Sequence, residues 1–297
     1  MSLDTIYRQY QSSKEVTRIK NAGTLRRWLA GAVASVTARR LFLRYRLFRP
    51  ALPPALDSSG EYVFSLTSFP PRMKYLWMVI DSLMRQSCRP AVIYLCLFKG
   101  DFPFGQLPDS LRPYLERGLK ILWAEENLMP HLKYYYTFQE ESAGARRPVI
   151  TVDDDLFYPP DTAKRLLGLH GCHPGSVCAN IARRIVGNHY AGWPLVTVPD
   201  GPSQDLLALG FGGVLYPERF CSTPALFQPD EIFATSLRAD DLWLRCREEE
   251  AGVGVVVGDY FAVPTEIPSS QRISLRAVNV DKSGNDKVWA LLHPQAT

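Results

Sequence analysis

The sequence predicts an α/β protein: a mostly parallel sheet flanked by helices, preceded by a basic helical arm. Three observations predict it. From Glu61 onward, short apolar runs of strand type alternate with runs of helical period, and such alternation produces a parallel sheet covered on both faces. Residues 1–50 carry eleven Lys and Arg against only Asp4 and Glu15, a net +9 within a chain whose total is +4, which leaves −5 for the remainder. Finally, 297 residues at 46% hydrophobic and 22% charged can bury a substantial core as one large domain with appendages, which excludes a disordered chain.

The arm comes first. Apolar residues from Trp28 to Thr37 run for about ten positions before Arg39 and Arg40, whereas a spanning helix needs roughly 20. No small-residue cleavage site follows a continuous apolar core, so no secretory leader is expected. Leu29, Val33, Val36, Leu43 and Leu47 recur near helical spacing with arginines between them. That pattern fits a helix lying in a membrane interface, and equally one packed on the protein's own body. An anionic membrane surface is thus a candidate partner. Nucleic acid is not, because no recognition motif or basic-aromatic stripe accompanies the charge.

Residues 50–60, rich in Pro, Ser and Asp, read as a linker that divides the chain into 1–60, arm and linker, and 61–297. Beyond it, Tyr62–Leu66 reads as a strand, Leu76, Val79, Ile80 and Leu83 as one face of a helix, and Ala91–Phe98 as a buried strand. A helix from about Pro108 to Arg117, a strand from about Leu119 to Trp123, a helix around His131–Glu141 and a strand ending at Val152 continue the rhythm. The second half is less regular, with a helix near Ala163–Leu169, strand material over Ser176–Ala182 and a Gly/Pro-rich stretch to Gly213. Cys88, Cys96, Cys172, Cys178, Cys221 and Cys246 lack a disulfide rhythm and read as reduced thiols. The expected location is cytoplasmic, peripheral on the inner face of the cytoplasmic membrane.

The chemistry concentrates at Asp153, Asp154 and Asp155, directly after the apolar run ending at Val152. Two carboxylates roughly 5 Å apart repel by about 3 kcal/mol at an effective dielectric near 20, so a partner should offset the cost. In an extended segment Asp153 and Asp155 project to one side, where they could hold a hard divalent cation through oxygen. A solvated acidic turn is the plainer alternative. In open α/β sheets, ligands bind beyond the carboxyl ends of the strands, and the triplet sits at such an end.

Four features follow in order: Ser65 to Arg72 closing the first strand; Asp81, Ser82 and Leu83 with Gln86, Ser87 and Pro90; the aspartate triplet; and Asp240, Asp241, Leu242 and Trp243. This order resembles the GT-A glycosyltransferases, most closely the bacterial family 2-like enzymes of surface-polysaccharide biosynthesis, over roughly Glu61 to Trp243. The resemblance implies a GT-A catalytic domain over 61–297, with a donor half at about 61–158 and an acceptor half at about 159–297. It also implies a nucleotide-sugar donor, Mn2+ or Mg2+ at a D-x-D motif, and inverting transfer to a hydroxyl of a saccharide or lipid-linked saccharide.

Carried over position by position, it makes Asp155 the preferred metal ligand with Asp153 beside it, and puts Thr67, Ser68, Arg72, Lys133, Asp153 and Asp154 on the donor side. Gly212 and Gly213 match the acceptor loop. Asp241, or else Asp240, matches the general base, although an acidic pair opening a helix can simply favour its N-terminus. His293 could be a late metal ligand or a solvated side chain, and Asn285 and Asp286 could cap a last helix from about Lys287. Two other classes stay open: a noncatalytic sugar- or nucleotide-binding module on the same fold, and a metal-dependent phosphoesterase. Phosphatases of the haloacid dehalogenase type want Thr or Val where Phe157 stands.

Overall fold

The computed structural model describes residues 3–18, 23–258, 264–268 and 284–294. The alternating half forms β1 (Val63–Thr67), α3 (Met73–Met84), β2 (Val92–Phe98), α4 (Arg112–Leu115), β3 (Leu119–Ala124), α5 (Tyr135–Ala143) and β4 (Val149–Thr151), preceded by α1 (Leu3–Arg18) and α2 (Thr24–Leu47). The second half adds β5 (Leu156–Phe157), α6 (Thr162–Cys172), β6 (Val177–Ala179), β7 (Ala182–Arg184), β8 (Asp200–Ser203), β9 (Leu206–Ala208) and β10 (Val214–Tyr216). It continues with α7 (Glu218–Cys221), α8 (Pro229–Thr235), α9 (Asp240–Glu250), β11 (Val255–Val257), β12 (Thr265–Glu266) and α10 (Gly284–Leu292).

Eight strands make one sheet in the order β3-β2-β1-β4-β10-β6-β11-β8. Neighbours from β3 to β4 are parallel. β10 runs against both β4 and β6, β11 follows β6, and β8 closes the edge antiparallel. The α/β reading is therefore borne out, as a mixed sheet whose main run is parallel. Chain order reverses between β1 and β4: connections lead outward from β1 through β2 to β3, then return. A crevice opens at such a reversal, beyond the strand ends, and Thr67–Ser68 and the aspartate triplet leave the sheet there as neighbours.

Leu76, Val79, Ile80 and Leu83 of α3 are all fully buried, as their spacing predicts. The helix expected over Pro108–Arg117 is shorter: a 3-10 turn at Asp109–Leu111 and the single turn α4. Pro113 stands in the first turn of α4, and Gly118 leaves it at φ 109°, a conformation that ends a helix. The last helix begins at Gly284, so Asn285 and Asp286 lie in its first turn instead of capping it.

The arm packs on the body with one face and leaves the other bare. Ala34, Ala38, Leu41, Phe42 and Tyr45 of α2 are buried, whereas Leu25, Trp28, Leu29, Val33, Val36, Leu43 and Leu47 are 41–69% exposed. The buried face joins two clusters. Leu41, Phe42 and Tyr45 share one with residues of α3, and Ala34 and Ala38 share the other with Tyr10 of α1, Ile181, Leu209, Ala239 and Leu242. Among the described residues, no helix is long and apolar enough to cross a membrane, and all six cysteines are free.

A buried carboxylate pins the arm. Asp81 of α3, with no exposure, accepts from Tyr45 of α2 at 3.0 Å, from Tyr114 of α4 at 3.2 Å and from Arg85 at 2.5 and 3.1 Å. Asp81→Ala leaves the Tyr45 and Tyr114 hydroxyls without their buried acceptor, while the partly exposed Arg85 can turn to water. Losing the acceptor of buried donors costs on the order of 3 kcal/mol. Denaturant unfolding should show a loss near that size, and a loss below about 1 kcal/mol would contradict this role.

Candidate functional site

The triplet is a turn, not an extension of β4. Asp154 and Asp155 occupy the turn before β5, so the alternation expected of a strand is broken and consecutive aspartates share one cation. Arg72 lies 2.5 Å from Asp154 Oδ1 and 3.3 Å from Asp155 Oδ2. It stands at the foot of α3 because Pro70, in a 3-10 turn over Pro70–Arg72, ends the extended chain after β1. Ser68 donates to the second oxygen of Asp154 at 2.6 Å. Thr67 turns away, donating to the Cys96 carbonyl of the neighbouring strand at 2.8 Å.

Asp153 faces the other way. Its carboxylate lies 3.2 Å from Lys133 Nζ, and the same ammonium lies 2.7 Å from Asp240 at the start of α9. Lys133 is 5% exposed, so one buried cation ties the end of β4 to the head of α9. Burial disfavours its charge, but Asp153, Asp240 and Asp241 outweigh burial and hold its pKa well above the ordinary lysine value.

Lys133 ends the 3-10 turn Met129–Lys133, which a buried histidine secures. His131 Nε2 is 2.9 Å from the Ser236 carbonyl and Nδ1 is 3.1 Å from Tyr134 Oη. Burial lowers His131 to about 4, so it is neutral at pH 7. The carbonyl can only accept; Nε2 therefore carries the proton and Nδ1 accepts from Tyr134.

Asp241 accepts from the Gly210 amide at 3.2 and 3.3 Å. A Cβ at Gly210 would stand 2.6 Å from Lys133 Nζ and 2.8 Å from Asp241 Oδ1, so any side chain there would displace the ends of both charged groups. Gly212 and Gly213, the positions suggested by the sequence, are buried one step behind it. Asn180 donates to the Gly212 carbonyl at 3.0 Å, and Gly213 adopts φ 84°. Tyr158 completes the frame: its hydroxyl accepts from the Asp153 amide at 2.8 Å and donates to the Phe211 carbonyl at 3.1 Å. Gly210 belongs to the Gly-Phe-Gly-Gly run that the resemblance matches to the acceptor loop, although its contact with Asp241 and Lys133 shows only in the fold. Nothing in the sequence singles out Tyr158 and His131, whose roles rest on folded contacts.

Ala239, not either aspartate, is the N-cap of α9, and Asp240 and Asp241 stand in its first turn, where their charge favours the helix N-terminus. His293, just past α10, reaches Glu249 of α9 at 2.7 Å and stacks on Trp289, among structural partners.

Five carboxylates, Asp153, Asp154, Asp155, Asp240 and Asp241, thus meet two cations, Arg72 and Lys133, a formal charge of −3. Burial is the main force pushing Asp155 up to about 7, relieved by Arg72, and burial reinforced by Asp240 pushes Asp241 up to about 7. Among the described residues no cluster of three ligating side chains forms a complete metal cage. The oxygen donors do suit Mg2+ or Mn2+ when phosphate completes the shell, because Mg2+ is usually bound by one or two carboxylates plus substrate phosphates. Asp154 spends its oxygens on Ser68 and Arg72, whereas Arg72 reaches Asp155 only at the longer 3.3 Å.

Neither a family model nor a curated protein matches the chain. Solved structures do. Mannosyltransferase PcManGT from Pyrobaculum calidifontis, in complex with GDP-Man and Mn2+, is 12% identical over 85% of this chain and 68% of that one, with a TM-score of 0.43. S. aureus TarS 1-349 in complex with UDP is 16% identical over 78% of this chain and 70% of that one, with a TM-score of 0.48.

The raised carboxyls set a pH dependence. The folded Asp241 holds its proton more tightly than the unfolded chain, whose aspartates titrate near 3.9. Its stabilising contribution is complete below about pH 4 and is lost as pH rises through about 7. Without metal, this contribution should make Tm fall between about pH 4 and 7, and Asp241→Asn should make that fall shallower. An unchanged slope in differential scanning calorimetry would contradict the raised carboxyl.

Proposed function

We propose that the chain is a metal-dependent glycosyltransferase of the GT-A type. It would move a sugar from a nucleotide-sugar donor to a hydroxyl of a saccharide or lipid-linked saccharide, as in surface-polysaccharide synthesis. One observation carries the reading: carboxylates from the ends of two distant segments, the triplet after β4 and the pair opening α9, converge on the single buried ammonium of Lys133. A binding module needs no carboxylate with a pKa near 7 beside a second acidic group, and a general base working at neutral pH does.

In this reading Asp155 would hold Mn2+ or Mg2+, while Asp153, turned to Lys133, would not share it as its alternate position in an extended strand would have allowed. The bound cation supplies Lewis-acid stabilisation of the diphosphate as negative charge develops on it. Arg72 and Lys133 add fixed positive charge on the donor side, where preorganised charge costs no reorganisation during reaction. Ser68 and Asp154 would shape the donor side, Ser68 and Arg72 by fixing the Asp154 carboxylate, whereas the Thr67 hydroxyl is spent on the Cys96 carbonyl. Asp241 accepts the proton of the attacking hydroxyl, with Asp240 as the neighbour that raises its basicity. The hydroxyl oxygen bonds to the anomeric carbon while the bond from that carbon to phosphate breaks, and the electron pair leaves with the nucleoside diphosphate. Displacement in one step inverts the anomeric centre. Gly212 and Gly213 back the acceptor side through the loop that carries Gly210.

The arm's proposed partner is an anionic membrane surface. The exposed residues of α2 form a stripe flanked by Arg39, Arg40, Arg44 and Arg46, the composition of a helix seated in a lipid interface. Each basic residue near an anionic surface adds roughly 1 kcal/mol.

Asp155→Asn and Asp241→Asn should each lower transfer at least about a hundredfold but differ in binding. The first should weaken nucleoside diphosphate affinity in the presence of Mn2+, and the second should leave it near that of the parent, because the base acts only in the chemical step. Calorimetry beside a transfer assay decides, and an Asp155→Asn variant that binds and turns over like the parent would refute the metal assignment. Flotation with phosphatidylglycerol vesicles tests the arm. Full-length protein should float and release as salt rises, while Arg39→Glu/Arg40→Glu/Arg44→Glu should stay in the pellet fraction; equal flotation of both would refute the lipid assignment.

A further inference from the structure

Two turns remote in sequence frame the acid cluster. Asp154 and Asp155 stand in the turn before β5. Gly210–Gly212 form a 3-10 turn before β10, and its Gly210 amide donates to Asp241 at 3.2 and 3.3 Å. One hydroxyl stands between them: Tyr158 Oη lies 2.8 Å from the Asp153 amide nitrogen and 3.1 Å from the Phe211 carbonyl oxygen. An amide can only donate and a carbonyl can only accept, so the phenol must accept from Asp153 and donate to Phe211.

The hydroxyl is itself anchored from elsewhere. The Tyr158 ring is fully buried in the core shared with α3, and the Tyr158 amide donates to Ser82 Oγ of that helix at 3.2 Å. The two residues before it, Leu156 and Phe157, pair antiparallel with Glu266 and Thr265 of β12. A phenol held in this way presents its oxygen at a fixed point. The Gly210 turn, by contrast, has no side chain to pack at two of its three positions, and hydrogen bonds at successive residues set its place: Gly210 to Asp241, Phe211 to Tyr158 and Gly212 to Asn180. Of these three partners, Tyr158 is the one that also holds the aspartate turn.

Resting on the glycosyl-transfer reading above, we propose that Tyr158 is a positioning residue for the base: its hydroxyl sets the Gly210 turn, and through the Gly210 amide the Asp241 carboxylate, at a fixed place against the aspartate turn. The hydroxyl takes no part in proton transfer. It acts first through geometry, because a misplacement of about 1 Å at a reacting group can cost on the order of a hundredfold in rate. It acts also through basicity. A hydrogen bond donated to a carboxylate favours the charged form, and the Gly210 amide does this for Asp241 against burial and the charge of Asp240, which favour the neutral one. Tyr158→Phe removes the partner of the Phe211 carbonyl and loosens the turn, so the Gly210 bond to Asp241 weakens. The other charged and titratable groups around Asp241, namely Asp240, Lys133, Asp153, Tyr190, Tyr216 and Arg238, all remain.

The test compares the full chain with Tyr158→Phe, which keeps the buried ring. Hydrogen exchange without substrate should show the peptide over 209–213 exchanging roughly fivefold faster in the variant, the size of one lost hydrogen bond. Equal exchange overturns the anchoring. Calorimetric affinity for UDP and GDP in Mn2+ should stay within about twofold of the parent, because the base acts only in the chemical step. With a nucleotide sugar that the parent turns over, read as nucleoside diphosphate release, kcat should fall at least about tenfold, and the acidic limb of its pH profile should move up by about half a unit. A lowered kcat with an unmoved acidic limb makes the hydroxyl merely structural and overturns the proposal. So does an unchanged kcat, or a loss of nucleotide affinity as large as the loss of kcat. Absence of parent turnover from every nucleotide sugar would instead remove the glycosyl-transfer reading, and the positioning role with it.

Discussion

The arrangement depends on one buried ammonium. Lys133 reaches 3.2 Å from Asp153 and 2.7 Å from Asp240, and these carboxylates arrive from segments nearly ninety positions apart. Without a cation between them, their mutual repulsion would open the crevice at the reversal of the sheet. With it, the strand ends, the glycine loop and the head of α9 close around one charged cluster. The surrounding structure serves that ion pair. His131 fixes the turn that bears the lysine, and Gly210 removes the side chain that would collide with it.

Compensation is deliberately incomplete. Two cations against five carboxylates leave the cluster negative, and burial keeps Asp155 and Asp241 near 7 instead of near the ordinary carboxylate value. On the proposed function, a cluster in that state would repel a bare diphosphate and favour one that arrives with a divalent cation. The same imbalance keeps one carboxylate basic enough to accept a proton at neutral pH. In the proposed function, metal use and base chemistry would both draw on this one electrostatic imbalance.

Much of the fold was legible because its signals are local. β1, α3 and β2 follow from apolar alternation and helical spacing, and the acid runs at 153–155 and 240–241 announce themselves by the repulsion they must overcome. What the residues alone did not disclose is set by contacts distant in sequence. The turn at Asp154 and Asp155 cancels the alternation expected after β4, so these two neighbours share Arg72 while Asp153 turns to Lys133. Tyr158 and His131 look like ordinary core residues until the fold puts their polar atoms against backbone groups. The arm shows the same division: its exposed stripe was readable as helical spacing, but the opposite face, bridging α3 and the neighbourhood of Ala239, emerges only from tertiary packing.

The central claim is that this acid cluster holds a nucleoside diphosphate through a divalent cation. Calorimetric titration of the unmodified chain with UDP and with GDP, in Mn2+ and again in excess chelator, tests it most directly. The account predicts saturable binding of at least one of them in Mn2+ and loss of that binding in chelator. Equal affinity in both conditions, or binding of neither nucleotide in Mn2+, would contradict it.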